Sequence, residues 1–244
     1  MTIVTRIPAA IIRKAEGGKT TAASRRTTRI RDEELRINEI FFSLQGESTR
    51  VGLPTVFVRL TGCPLRCGYC DTAYAFHEGK IRLIDDVLAE IATHSTRYVC
   101  VTGGEPLAQR PCITLLARLC DAGYSVSLET SGAIDIGEVD ARVSRIVDIK
   151  TPGSGECAKN RWDNLALLTA HDEIKFVITS ESDYTWASGI VRDNKLAGLC
   201  TVLFSPSFGE VKPEQLADWI LRDALPVRMQ LQLHKILWGE KRGV

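Results

Sequence analysis

The sequence predicts an α/β fold, a mostly parallel sheet or barrel with helices outside it, and three observations carry that prediction. Short β-rich runs alternate with helical patterns of about 10–13 residues, the signature of βαβ units. The chemically unusual residues fall just after those runs, at the carboxyl ends of strands, where parallel α/β folds collect function. With 44 % hydrophobic and 25 % charged residues among 244, the composition is that of a soluble globular protein large enough to bury a core without disulfides.

Taken in order, the runs Ile37 to Phe42 and Thr55 to Leu60 read as the first two strands. A helical pattern over 83–93 leads to a strand at 97–101, and a second helix over 111–122 is stopped by Gly123. Strands at 125–129 and 145–149 follow, then a helix over 161–169, a strand at 173–178 and a helix over 183–195. The strand at 200–204 precedes a helix over 213–225 that Pro213 opens, and a last strand is expected at 227–233. Each central strand runs into a functional-looking loop: a cysteine loop after Leu60, two glycines and Glu105 after Val101, Thr130 to Gly132 after Glu129, and Lys150 to Gly153 after Ile149. Phe204 leads likewise into Ser205, Pro206 and Ser207. The opposite rim reads as plain turns.

Charge divides the chain unevenly. Residues 1–31 carry eight basic side chains and one acidic one, a net +7, which leaves −6 for the remainder. That segment, taken with its surroundings as a leader over 1–34, reads as a disordered basic tail or a transit-type peptide, and the folded domain as 35–244. No run approaches the roughly 18 apolar residues that span a bilayer. The leader lacks the interleaved aromatics of a nucleic-acid binder, so no direct nucleic-acid partner is expected. Five scattered cysteines read as buried small hydrophobes, which points to a reducing compartment, the cytoplasm.

The other three cysteines do not scatter. Cys63, Cys67 and Cys70 place three thiols within eight residues as Cys-x3-Cys-x2-Cys. Soft thiolates at this spacing favour zinc or an iron–sulfur cluster. A structural zinc site wants four protein ligands, and His77 is the nearby candidate for a fourth. Three thiolates alone can hold three corners of a [4Fe–4S] cube and leave one iron open for chemistry.

Cys-x3-Cys-x2-Cys after one strand and Gly103, Gly104, Glu105, Pro106 after the next resemble the radical S-adenosylmethionine superfamily. Within it the chain resembles the 7-carboxy-7-deazaguanine synthase family over most of 36–244. The segments that carry the likeness are 38–41, 43–48, 58–63, 70–72, 101–106, 129–132, 148–150 and 232–235, with the ending 238–244. The resemblance implies a partial (βα)6-type radical S-adenosylmethionine barrel. It also implies a carbon–nitrogen lyase that converts 6-carboxy-5,6,7,8-tetrahydropterin to 7-carboxy-7-deazaguanine with loss of ammonia, in queuosine biosynthesis and hence tRNA modification. Its cofactors would be a [4Fe–4S] cluster on Cys63, Cys67 and Cys70, S-adenosylmethionine, and Mg2+ on Thr72.

By the same resemblance, Leu44, Gln45, Gly46, Glu47, Arg59, Thr130 and His234 would bind substrate. Arg59 would clamp the carboxylate, and Gln45 and Glu47 would read the pterin amide and amine edge. S-adenosylmethionine would lie against Tyr69, Cys70 and Asp71, against Gly103, Gly104, Glu105 and Gly132, and against Asp148, Ile149 and Lys150. Phe204, Ser205, Pro206 and Ser207 would contact its adenosine. A reducing electron donor such as a flavodoxin and a homodimer are the implied partners. Two other functions share part of the pattern: an activase that makes a glycyl radical on a partner protein, and a non-catalytic zinc module.

Overall fold

The computed structural model describes residues 33–244; the basic leader lies outside the described residues except for Glu33 and Glu34. Its strands are β1 (Glu34–Leu44), β2 (Pro54–Leu60), β3 (Lys80–Leu83), β4 (Tyr98–Gly103), β5 (Ser125–Thr130), β6 (Ser144–Asp148), β7 (Glu173–Ile178), β8 (Thr201–Pro206) and β9 (Arg228–Met229). The helices are α1 (Ile84–Ile91), α2 (Cys112–Asp121), α3 (Glu181–Asp193), α4 (Pro213–Arg222) and α5 (Leu233–Trp238). The strands form one open sheet in the order β3-β1-β2-β4-β5-β6-β7-β8-β9. From β2 through β9 every neighbour is parallel, while β1 runs antiparallel to both β2 and β3. This is the partial, mostly parallel barrel that the sequence predicts.

Period-two alternation splits each parallel strand between two environments. Val58, Val101, Leu128, Val147, Phe176 and Phe204 point outward into the core beneath the helices. The helices answer with matching stripes. In α2, Cys112, Leu115, Leu116 and Leu119 follow the i, i+3, i+4, i+7 pattern and are all fully buried. Each such leucine contributes roughly 1.5–3 kcal/mol of transfer free energy. The inward residues are largely polar: Arg59, Thr102, Glu129, Asp148, Lys175 and Ser205 all line one cavity, with Ile146 and Val177 among them.

Several expected elements differ. The helix expected over 161–169 is a 3-10 segment, Trp162–Leu167, and β3 was not anticipated because its residues are mostly exposed. The last strand shrinks from 227–233 to Arg228–Met229, and Leu233 instead begins α5. Beyond β9 the chain leaves the sheet because its glutamines find partners elsewhere: Gln230 accepts from the Ser48 amide at 2.8 Å and Gln232 donates to Glu47 at 2.7 Å. Among the described residues no helix is long and apolar enough to cross a membrane.

The rim opposite the cysteine loop is not plain turns. Because β1 is antiparallel to β2, with Leu44 opposite Pro54, residues 45–53 lie at the amino ends of the parallel strands. Thr49 donates its amide to Glu173 at the start of β7, and Arg50 donates to the Ser125 carbonyl at the start of β5, 3.0 Å away. The loop therefore stoppers the barrel from below. Segment 230–243 covers the side left open between β9 and β1. Its attachments run from Phe204 of β8, through Gly46 and Asp71, to Glu78 beside β3.

Candidate active site

The cavity measures about 480 Å³ and is lined by residues from β2, β4, β5, β6, β7 and β8, the cysteine loop and the carboxyl-terminal segment. Cys63, Cys67 and Cys70 are all on its wall and all half-buried, while the other five cysteines lie elsewhere. The glycines after β4 seat this loop. A Cβ on Gly104 would stand 2.2 Å from the Gly62 carbonyl oxygen and 2.9 Å from Cys63 Cβ, and Gly103, at φ +149°, packs as tightly on Leu60. Close approach is thus required by the chain itself, and not only by a ligand as the sequence suggests.

The residues fit the implied groups. Among the described residues no three His, Cys, Asp or Glu side chains converge on a single metal ion, and His77 is exposed and off the cavity. A zinc knuckle would need His77 to reach the loop, whereas a cube of irons takes each thiolate at a separate corner. Burial pushes the Cys63 and Cys67 thiols up, with the Lys150 cation working against it. Two buried polar atoms on the cavity wall, Tyr69 Oη and Asp148 Oδ1, have no partner among the described residues. Orphaned groups of that kind are costly unless a ligand satisfies them. Asp148 Oδ2 is taken by Lys150 Nζ at 2.9 Å, and the same ammonium lies 5.8 Å from the Tyr69 ring.

Of the residues expected at the cofactor, Tyr69, Cys70, Asp71, Gly103, Gly104, Asp148, Lys150, Ser205, Pro206 and Ser207 line the cavity. Four do not. The side chains of Ile149 and Phe204 sit in the outward core, one pleat position away from Asp148, Lys150 and Ser205, so only their backbones can reach a ligand. Gly132 holds φ +71° beside Val147. Glu105 is fully buried, and its carboxylate accepts from Thr130 Oγ1 at 2.9 Å, Ser131 N at 2.7 Å and Leu107 N at 3.0 Å. With those bonds made, Glu105 ties β4 to the end of β5.

Of the residues expected at the substrate, Arg59 and Thr130 line the cavity. Arg59 Nε donates to Glu39 at 2.8 Å, and Tyr74 donates to the same oxygen at 2.9 Å. This fixes the guanidinium plane while its two terminal nitrogens take no partner among the described residues. Leu44 at the end of β1 and Gln45, Gly46 and Glu47 on the stopper loop approach from below and, like His234, are not among the lining residues. Gln45 donates to Glu129 at 3.4 Å. The His234 ring packs on Gly46, where a Cβ would stand 2.1 Å from its Nδ1; burial lowers its basicity. Thr72 lines the cavity and donates to Asp71 at 2.8 Å, and the Lys235 ammonium, 3.0 Å from Asp71, helps hold that carboxyl well below the usual range against burial.

Sequence reasoning missed Glu129 and Lys175 as site residues. Both line the cavity. Lys175 pairs with buried Glu47; burial alone would lower its basicity, and Glu47 with Asp148 reverses that. Burial likewise pushes the Glu47 carboxyl up, but Lys175 more than offsets it. The available signal was a charged residue at an interior position of a strand, Lys175 within Glu173–Ile178 and Glu129 within Ser125–Thr130.

Residues 57–149 match the Radical SAM superfamily. The chain is 46 % identical over 214 residues to a 7-carboxy-7-deazaguanine synthase of Chlorobaculum tepidum, covering 86 % of this chain and 97 % of that one. It is 43 % identical over 226 residues to one of Koribacter versatilis, covering 86 % and 100 %. Among solved structures, QueE from Escherichia coli superposes with a TM-score of 0.67 at 24 % identity, over 86 % of this chain and 99 % of that one, a likeness of fold.

Proposed function

The chain belongs to the 7-carboxy-7-deazaguanine synthase family of radical S-adenosylmethionine enzymes, and from that premise we propose that it converts 6-carboxy-5,6,7,8-tetrahydropterin to 7-carboxy-7-deazaguanine, releasing ammonia as a carbon–nitrogen lyase. The observation that carries the reading is one polar cavity with three thiols at its upper wall and the partly free Arg59 guanidinium deeper in. Cys63, Cys67 and Cys70 would hold the [4Fe–4S] cluster, and Tyr69, Asp148 and Lys150 the polar end of S-adenosylmethionine. When bound, the reduced cluster and S-adenosylmethionine supply hydrogen-atom abstraction from a carbon of the substrate.

The protein's own part is binding, orientation and exclusion of water. Arg59, held through Nε by Glu39, has both terminal nitrogens free for a bidentate grip on the pterin carboxylate. Glu47 and Gln45 stand below as an acceptor and a mixed donor–acceptor, suited to a guanine-like edge. Thr72 would offer a hard oxygen to Mg2+, which keeps waters and borrows substrate oxygens. Gln232, Lys235 and Glu240 of the carboxyl-terminal segment line one side of a cavity of about 480 Å³, a size that suits a small substrate better than the peptide loop an activase needs. A reducing flavodoxin-type donor, a homodimer, a cytoplasmic location and a downstream role in tRNA modification complete the proposal.

The test is anaerobic reconstitution with iron and sulfide, reduction, and incubation with S-adenosylmethionine and the carboxypterin. Brown charge-transfer absorption and the deazaguanine mass are expected. A colourless protein that binds zinc stoichiometrically, or a clustered one that leaves the pterin unchanged, would overturn the reading.

A further inference from the structure

Two carboxylates meet inside the barrel, and their surroundings differ. Glu47 pairs with the Lys175 ammonium and accepts from the Gln232 and Gln230 amides. Glu129 has only neutral hydrogen-bond donors: Thr102 Oγ1 at 3.0 Å, Gln45 Nε2 at 3.4 Å and the Cys100 thiol at 3.6 Å. Of the charged groups facing it, Glu47 on the stopper loop disfavours a second anion, and Lys175 of β7 and Arg59 of β2 favour one. From β4 it meets the Cys100 thiol, and its cross-strand neighbour in β6 is the apolar Ile146. The cation nearest the carboxylates is already committed to Glu47. Burial and the Glu47 charge push the Glu129 carboxyl up. When environments separate two neighbouring carboxyl groups in this way, one is available as an acid.

We propose that Glu129 enters the reaction as a neutral carboxylic acid and hands its proton to the nitrogen that leaves as ammonia. The inference rests on the reaction proposed above. In the product, the carboxylate-bearing carbon is bonded directly to the pyrimidine ring, at the position where the pterin carries nitrogen 5. Nitrogen 5 is therefore the atom lost, and in the substrate it is bonded to the carbon whose carboxylate Arg59 would hold. Arg59 faces Thr102 across β2 and β4, and the Thr102 hydroxyl donates to Glu129. The acid thus stands two strands from the clamp, on the wall of the same cavity.

In the elimination step the Glu129 O–H bond breaks as the new N–H bond forms, and the C–N electron pair leaves with the nitrogen. The neighbouring ring carbon gives up a proton while its C–H pair becomes the ring double bond. That proton returns to the Glu129 carboxylate. One ammonia is released, no electron is gained or lost, and the acid is restored.

The experiment compares wild type, Glu129→Gln and Glu129→Asp as reconstituted enzymes. Glu129→Gln should lower kcat about a hundredfold or more, as expected for loss of a general acid. Its Kd for the carboxypterin, measured by calorimetry, should stay within about threefold of wild type. Deuterium from the C6-labelled pterin should still wash into S-adenosylmethionine, because hydrogen abstraction precedes the step Glu129 serves. Glu129→Asp should recover part of the rate, and the fall of wild-type kcat at rising pH should vanish in Glu129→Gln. Glu129→Gln turnover within threefold of wild type, or a weakened Kd with kcat unchanged, overturns the inference alone. A wild type that makes no deazaguanine overturns the reaction and the inference together.

Discussion

Replacing Lys175 by methionine keeps an unbranched side chain one atom shorter and removes its charge. The ammonium and its partner Glu47 are 14 % and 11 % exposed, so neither leans on solvent. Truncating one partner of a buried ion pair costs about 3–5 kcal/mol, because the other charge is left unpaired. For a domain of this size, that loss corresponds to a Tm roughly 6–20 °C lower.

The pH dependence follows from Glu47. In wild type Lys175 holds the Glu47 carboxyl below its ordinary value, so its contribution to stability is present at neutral pH and is lost as pH falls through the folded value. In Lys175→Met burial loses its main counterweight, with only the Gln232 hydrogen bond still opposing it, and raises that carboxyl. The raised group destabilises the fold at neutral pH, and the penalty disappears as pH falls through the unfolded value of 4.5. Urea denaturation of both proteins at pH 7.5 and pH 5 measures this directly. The deficit should be several kcal/mol at the higher pH and clearly smaller at the lower. A deficit under about 1 kcal/mol at pH 7.5, or one equal at both pH values, would refute the argument, since surface-type pairs behave that way.

Other perturbations separate the roles of the cavity wall. Arg59→Ala should raise the KM for the carboxypterin at least tenfold while S-adenosylmethionine binding is kept; unchanged KM would assign the carboxylate to another cation. Thr72→Val keeps the shape and removes the oxygen, so turnover should slow and lose its Mg2+ stimulation with the cluster spectrum unaltered; equal stimulation in both proteins would place the ion elsewhere. Gly104→Ala puts a methyl 2.2 Å from the Gly62 carbonyl and should displace the cysteine loop, seen as substoichiometric iron after reconstitution; full cluster loading would show that the loop tolerates the shift.

The parallel strands were readable because each is a short apolar run, and the outward face alone is enough to produce that pattern. β3 was not, since its exposed residues carry no burial signal. The run 227–233 alternates like a strand, yet its glutamines are drawn to Glu47 and Ser48 on the stopper loop, a long-range competition invisible in local pattern. The thiols and glycines were legible by spacing. Glu129 and Lys175 were not, because one charged residue in a strand looks the same whether it faces solvent or a polar interior. The position of residues 44–47 required the direction of β1, and no feature of the segment itself encodes that.

That reversed strand separates responsibilities within the enzyme. The upper rim carries the thiols and the orphaned tyrosine and aspartate, so its shape answers to the cofactor. The floor is a loop delivered from the other end, joined to the rest by hydrogen bonds and one buried ion pair. A mutation in that floor can reshape what sits beneath the radical chemistry without moving any thiol. An engineer seeking to alter what the floor accepts would randomise residues 45–50 before altering any residue on the upper rim.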